Sequence, residues 1–155
     1  MSKIKKTLLI IGILFIVIQL IQPTRNNDNW KVLPSDITKV YVVPDSILDI
    51  FKNSCYDCHS NNTRYPWYSY IQPGGWWLAH HIKQGKLDLN FSEFGDYTKR
   101  KQQNKLRAIM SSVDSGSMPI PAYTILHSDA KLTKAQKTLI NDWVNNLKDS
   151  LSKTN

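Results

Sequence analysis

Hydrophobic positions along this chain fall into several patterns, and each predicts a different element. Thr7 to Ile21 is uncharged, almost wholly apolar and without a polar face. As a helix at about 1.5 Å per residue it reaches roughly 22 Å, short of a bilayer core of about 30 Å. Flanking Ile4 and Gln22 and snorkelling lysines make up part of the difference. Lys3, Lys5 and Lys6 precede the run, while Arg25 and Lys31 behind it are diluted by Asp28. This bias predicts a membrane anchor over residues 1–22, its amino terminus in the cytoplasm. Gln19-Leu-Ile-Gln-Pro23 offers no small-residue cleavage site, so an uncleaved anchor is preferred to a signal peptide or a core helix. Residues 23–36 are polar and proline-bounded and read as a linker to a domain over 37–155.

Within that domain residues 37–43 have strand-like composition but nothing to pair with. Behind Pro44, with Asp45 or Ser46 as cap, Ile47, Leu48, Ile50 and Phe51 form a helical face leading into Cys55. Trp76 to Gln84 predicts a short helix stopped by Gly85. Leu106, Ile109, Met110 and Val113 recur at helical spacing, predicting an amphipathic helix from about Tyr97 to Val113. Residues 114–130, with Gly116, Pro119 and Pro121, read as a loop. Thr133 and Gln136 then form a capping box for a last helix striped by Leu139, Ile140, Trp143, Val144 and Leu147. The fold class is all-α.

Charge adds little. The formal net charge is +8, three units of it on the lysines before the apolar run. The remaining basic residues are scattered, which leaves no nucleic-acid footprint and allows a docking face for an acidic partner.

The chemistry lies in the chain's 2 cysteines, which both sit in Cys55-Tyr56-Asp57-Cys58-His59. This is the C-x-x-C-H pattern of c-type haem attachment. Two thiols on one turn can each form a thioether with a haem vinyl, and the next residue offers its imidazole to the iron. A zinc site would lack its remaining ligands, and a redox disulfide would leave His59 unexplained. For the sixth iron position the candidates are Met118, His80, His81, His127 and none. Met118 precedes Pro119 in an irregular segment from which a thioether could approach opposite His59, whereas Met110 belongs to a helix stripe. His80 and His81 point about 100° apart on a helix, so at most one faces the haem, and His80 is the alternative ligand. His127 suits capping or packing. The aromatic cluster of Tyr65, Trp67, Tyr68, Tyr70, Trp76 and Trp77 is the expected pocket wall, and Arg64 with Trp76 or Trp77 the expected propionate donors.

Cys55-Tyr-Asp-Cys-His-Ser60, Tyr65-Pro-Trp-Tyr68, Trp77, His80, Gly85 and Leu89-Asn-Phe-Ser-Glu93 resemble the bacterial haem-binding domain family of small c-type cytochromes. Met118-Pro119, Tyr123, His127 and the closing helix with Trp143 extend the resemblance, which runs from about Val40 to Leu147. It implies an all-α, cytochrome c-like fold with one covalent haem c, and favours Met118 as distal ligand.

The expected protein is therefore a monohaem c-type cytochrome held on the outer face of a bacterial cytoplasmic membrane. It would pass electrons between redox partner proteins of a membrane chain, with His/Met ligation keeping reorganisation small. The alternatives are a peroxidase-like enzyme and a gas or redox sensor with a displaceable distal ligand. Replacing both cysteines, Cys55→Ala with Cys58→Ala, is expected to give protein that loses all pigment to acid–acetone. Pigment retained on the denatured variant would contradict thioether attachment.

Overall fold

Three apolar stripes converge on one core: those of the helix before Cys55, of residues 99–115 and of the carboxyl-terminal helix. The structure, a computed structural model, describes residues 2–152; the ends of the expected anchor and of the expected haem domain, at 1 and 153–155, lie outside it. In chain order the α-helices are α1 (Lys3–Gln19), α2 (Ile37–Val40), α3 (Asp45–Ser54), α4 (Tyr56–His59), α5 (Gly74–Asp88), α6 (Lys99–Ser115), α7 (Pro121–Leu126) and α8 (Lys134–Ser152). Short 3-10 turns occur at Trp67–Tyr70, Phe91–Asp96 and Ser128–Ala130. No strand forms among the described residues; Asn27 and Asn62 make one isolated bridge. The all-α class is thus observed.

The core gathers Ile47, Ile50 and Phe51 of α3, Leu106 and Val113 of α6, and Ile140 and Val144 of α8 around Phe91 and Phe94. Phe51 stacks on Phe91 with ring centroids 4.9 Å apart, and Phe91 on Tyr56 at 5.2 Å. This aromatic stack runs from the core to the cysteine-bearing turn. Met110 and Leu147 pack against the cluster as their stripes predict, while Leu139 remains exposed.

Several boundaries differ from the sequence reading, each for a local reason. The strand-like 37–43 segment opens as helix α2, because the Asp36 carboxylate accepts from Thr38 N at 2.9 Å and caps it. Pro44, not Asp45 or Ser46, occupies the cap position of α3, with Asp45 in its first turn. The expected 114–130 loop contains α7, begun by Pro121, whose missing N–H costs nothing at a helix start. Helix α6 is capped by Thr98 and ends at Gly116, which adopts the left-handed φ of 72°. The capping box of α8 forms as read: Thr133 N donates to Gln136 Oε1 at 2.9 Å and Gln136 N to Thr133 Oγ1 at 3.2 Å.

The amino-terminal expectation needs correction. Helix α1 buries no residue and spans 17 residues, about 26 Å. No helix among the described residues is long and apolar enough to cross a membrane, so the transmembrane helix expected over 1–22 is not found. At the helix end Gln19 turns its side-chain amide to the domain. It donates to Gln72 O at 3.2 Å and accepts from Gln72 N at 2.8 Å, while Leu20 and Ile21 leave the helix. Residues 23–36, read as a linker, are hydrogen-bonded along the domain. Asn26 Nδ2 donates to Ser60 O and Thr63 Oγ1, and Asn62 Oδ1 accepts from Asp28 N and Trp30 N.

One buried amide secures the far side of the core. Gln102, 2 % exposed, donates to Phe94 O at 3.2 Å and Tyr97 O at 2.9 Å and accepts from the Tyr41 hydroxyl. Gln102→Ala strands all three partners and should cost about 2–4 kcal/mol, since each orphaned buried group costs about 1–3 kcal/mol and water can enter the space left. Urea denaturation followed by circular dichroism measures it.

Candidate functional site

The cysteine pair lies on a tight helical turn. Helix α3 ends at Ser54, and Cys55 O accepts from Cys58 N at 3.2 Å and His59 N at 2.9 Å. Both cysteines are free thiols. Burial, then the neighbouring Cys58, pushes the Cys55 thiol up to about 12. Burial, then the Asp57 carboxylate, pushes Cys58 up to about 11. Such thiols stay protonated, the reverse of the depressed values that mark a redox dithiol. Among the described residues no group of three or more His, Cys, Asp or Glu side chains could hold a metal ion by itself.

His59 is fixed by the backbone of the facing segment. Its Nδ1 lies 2.9 Å from Gly85 O and 3.0 Å from Leu89 O. Carbonyls only accept, so Nδ1 carries the proton and Nε2 keeps its lone pair. Burial holds the imidazole below its ordinary range despite both carbonyls, which favours this neutral form.

Gly85 makes the contact possible. The expected helix stop is instead interior to α5, which continues to Asp88. A Cβ at Gly85 would meet Cys58 O at 2.7 Å and Cys58 Cβ at 3.2 Å. The glycine therefore serves close approach of α5 to the cysteine turn, and its carbonyl then reaches His59.

Leu89-Asn-Phe-Ser-Glu93 completes the brace. Leu89 supplies the second carbonyl, and Phe91 lies edge-on to the His59 ring with centroids 6.5 Å apart. Asn90 Nδ2 donates to Asn61 Oδ1 at 2.8 Å, Asn61 Nδ2 to Glu93 Oε1 at 2.9 Å and Asn61 N to Ser92 Oγ at 3.1 Å. Each polar member of the motif thus grips the chain just past His59.

Asp57, inside the cysteine pair, is a polar hub that sequence reasoning missed. It is 7 % exposed and accepts from Arg64 N at 2.9 Å, Arg64 Nη2 at 3.1 Å and the Tyr123 hydroxyl at 2.7 Å. This engages Arg64, expected on a propionate, with Asp57 instead. The Trp76 Nε1 donates to Ile21 O at 2.8 Å and is likewise committed elsewhere.

His59 and Cys55 line two adjoining cavities of about 310 and 110 Å³. Leu89, Phe91, Ala108, Ile109 and Val113 wall the larger, with Ser54, Asp88, Lys105 and Ser112 as its other polar members. Ile120 and Tyr123 close the smaller, which Cys58 also lines. Met118 and Pro119 line both. None of Tyr65, Trp67, Tyr68, Tyr70, Trp76 and Trp77 lines either: Trp76 and the Tyr70 carbonyl bond to the end of α1, Tyr68 bonds His127, and Trp77 packs on His81. The pocket wall comes instead from α6, α7 and the segment after α5.

The other histidines separate clearly. His80 lines a different groove, with Arg25, Lys83 and Lys86. His81 lines the smaller cavity, donates from Nδ1 to Trp77 O at 2.8 Å and lies tilted by 39° against the Trp77 ring. His127 is hydrogen-bonded to Tyr68 and stacked on Tyr123 at 4.1 Å. The residues brought together are thus Cys55, Cys58, His59, Met118 and His81, with His80 and His127 outside.

This set fits a haem. An imidazole with a braced Nδ1 and open Nε2, two thiols on one turn and a thioether share apolar space. Comparison with protein families agrees: the haem-binding domain family matches residues 13–146. The chain belongs to that family and is a haem-binding protein. No curated protein and no solved structure matches it.

Gly85→Ala tests the geometry. The added methyl meets backbone, which cannot swing aside, so α5 must shift; overpacking of this kind costs about 1–3 kcal/mol. The variant is expected to unfold at lower urea and to lose part of its haem absorbance per chain. Wild-type haem content and stability would refute the close-approach role.

Proposed function

We propose that the protein is a monohaem c-type cytochrome that transfers electrons, its haem bonded to Cys55 and Cys58 and ligated by His59 and Met118. The observation that carries this reading is the fixed His59 ring, its Nδ1 held by two carbonyls, in a cavity that Met118 shares. The haem supplies one-electron chemistry when bound. The chain's own contributions follow from its geometry. The Gly85 and Leu89 carbonyls orient the imidazole and raise its basicity as a ligand. Leu89, Phe91, Ile109 and Val113 keep water from the iron, and a thioether ligand favours the reduced state.

Membrane attachment is part of the proposal. Its support is α1, whose apolar residues from Leu8 to Val17 are exposed, preceded by Lys3, Lys5 and Lys6. Such a surface needs a lipid or protein environment. The lysines favour an orientation with the haem domain on the extracytoplasmic side, where redox partners of a membrane chain would meet it.

One observation favours a second reading. His81 lines the smaller cavity with His59, so a polar group stands near the haem space as a peroxidase would require. Rapid hydrogen-peroxide turnover by the wild-type protein would put that reading first.

Met118→Ala is the test of ligation. It is expected to lower the potential by on the order of 100 mV, a fraction of the roughly 0.8 V that axial ligands span. It should also abolish the ferric near-infrared methionine-to-iron band and admit carbon monoxide to the ferrous iron. An unchanged spectrum would retire Met118 as ligand.

A further inference from the structure

We propose that Trp67, Tyr70, Ile71 and Trp77 form a second membrane contact that seats the haem domain in the headgroup layer beside α1. The inference rests on the membrane attachment proposed above and adds a surface of the domain itself. All four side chains are exposed, Trp67 at 75 %, and so are Leu20 and Ile21 where α1 ends.

Hydrogen bonds join the two segments that carry these apolar side chains. Gln22 Nε2 donates to Tyr70 O at 3.3 Å, Gln72 Nε2 to Gln22 Oε1 at 3.1 Å and Trp76 Nε1 to Ile21 O at 2.8 Å. Together with the reciprocal Gln19–Gln72 pair, they tie the end of α1 to residues on both sides of Ile71. Gln72 is fully buried, and a Cβ on Gly75 would meet Ser69 O at 2.4 Å, so the junction is packed as tightly as the core. The domain is therefore held at the helix end with no free tether between them.

Length decides the occupant. Helix α1 reaches about 26 Å against a hydrocarbon core of about 30 Å. A short apolar helix joined rigidly to a domain draws the adjoining face toward the bilayer. Tryptophan and tyrosine, apolar bodies with polar tips, are the side chains suited to that depth. The charge agrees as well. Arg25 stacks over Tyr65 and Tyr70 at 4.4 and 4.1 Å and lines a groove with Lys83 and Lys86, with Glu93 as its acidic member. Cations beside an aromatic patch suit an anionic lipid surface.

The test is hydroxyl-radical labelling of the full-length, haem-loaded protein in nanodiscs of phosphatidylethanolamine and phosphatidylglycerol, one copy per disc. Trp30, 60 % exposed on the cleft with Asp49 and Lys52, is the internal reference. Trp67 and Trp77 are expected to label at least about fivefold more slowly than Trp30, as side chains at headgroup depth would. In the variant Trp67→Ser, Ile71→Ser, with haem spectrum retained, labelling of Tyr70 should rise toward that of Trp30. Equal labelling of Trp67, Trp77 and Trp30 in disc-bound protein would overturn this inference alone. Protection seen only with two copies per disc would also overturn it, in favour of self-association. Protein that fails to co-migrate with discs would overturn the membrane reading and this contact with it.

Discussion

The structure depends on the hold that two backbone carbonyls exert on the proton of His59 Nδ1. Those carbonyls, from Gly85 and Leu89, can reach the ring only because α5 presses against the cysteine turn at a residue with no side chain. The same contact decides the tautomer, directs Nε2 away from the bonded side and brings Leu89 and Phe91 to the cavity wall. Phe91 then carries the arrangement through its stack with Phe51 into the core shared by α3, α6 and α8. Fold and site are therefore one packing problem: the stripes that bury Leu106, Val113, Ile140 and Val144 also fix where the imidazole stands.

Much of this was legible in the sequence because the physics involved is local. The helix-period stripes located α3, α6 and α8, and the Thr133–Gln136 box located a helix start. The spacing of the cysteine turn pointed to haem, and the family match over residues 13–146 supports haem binding. What escaped was long-range. Gly85 looks like a helix stop when only its own propensity is weighed. The continuation Lys86-Leu-Asp88, without proline, was the available signal that it was an interior, close-packing glycine. Asp57 looks like a spacer within the cysteine motif, since its partners Arg64 and Tyr123 come from separate turns of the chain. The aromatic cluster is rich enough to suggest a pocket wall, yet the fold places it elsewhere, with Trp76 and the Tyr70 carbonyl at the end of α1 and Tyr68 on His127.

The amino-terminal segment shows how a tertiary hydrogen bond can override a hydropathy pattern. Apolar character continues through Leu20 and Ile21, but Gln19 and Gln22 are drawn to Gln72 and to the carbonyl of Tyr70. Their side-chain amides bond to the domain and hold it at the helix end. The result is an exposed helix with a domain docked at its end, where the sequence alone suggests an anchor over 1–22 followed by a loose tether.

The central claim is that the turn from Cys55 to His59 carries a haem through two thioether bonds. Intact-mass spectrometry under denaturing conditions, on protein made in a host that attaches haem to cysteine pairs, tests it most directly. The account predicts a chain heavier by one haem, with the increment on the peptide containing Cys55 and Cys58 and no free thiol left to alkylate. A chain of unmodified mass, with both thiols open to alkylation, would contradict it.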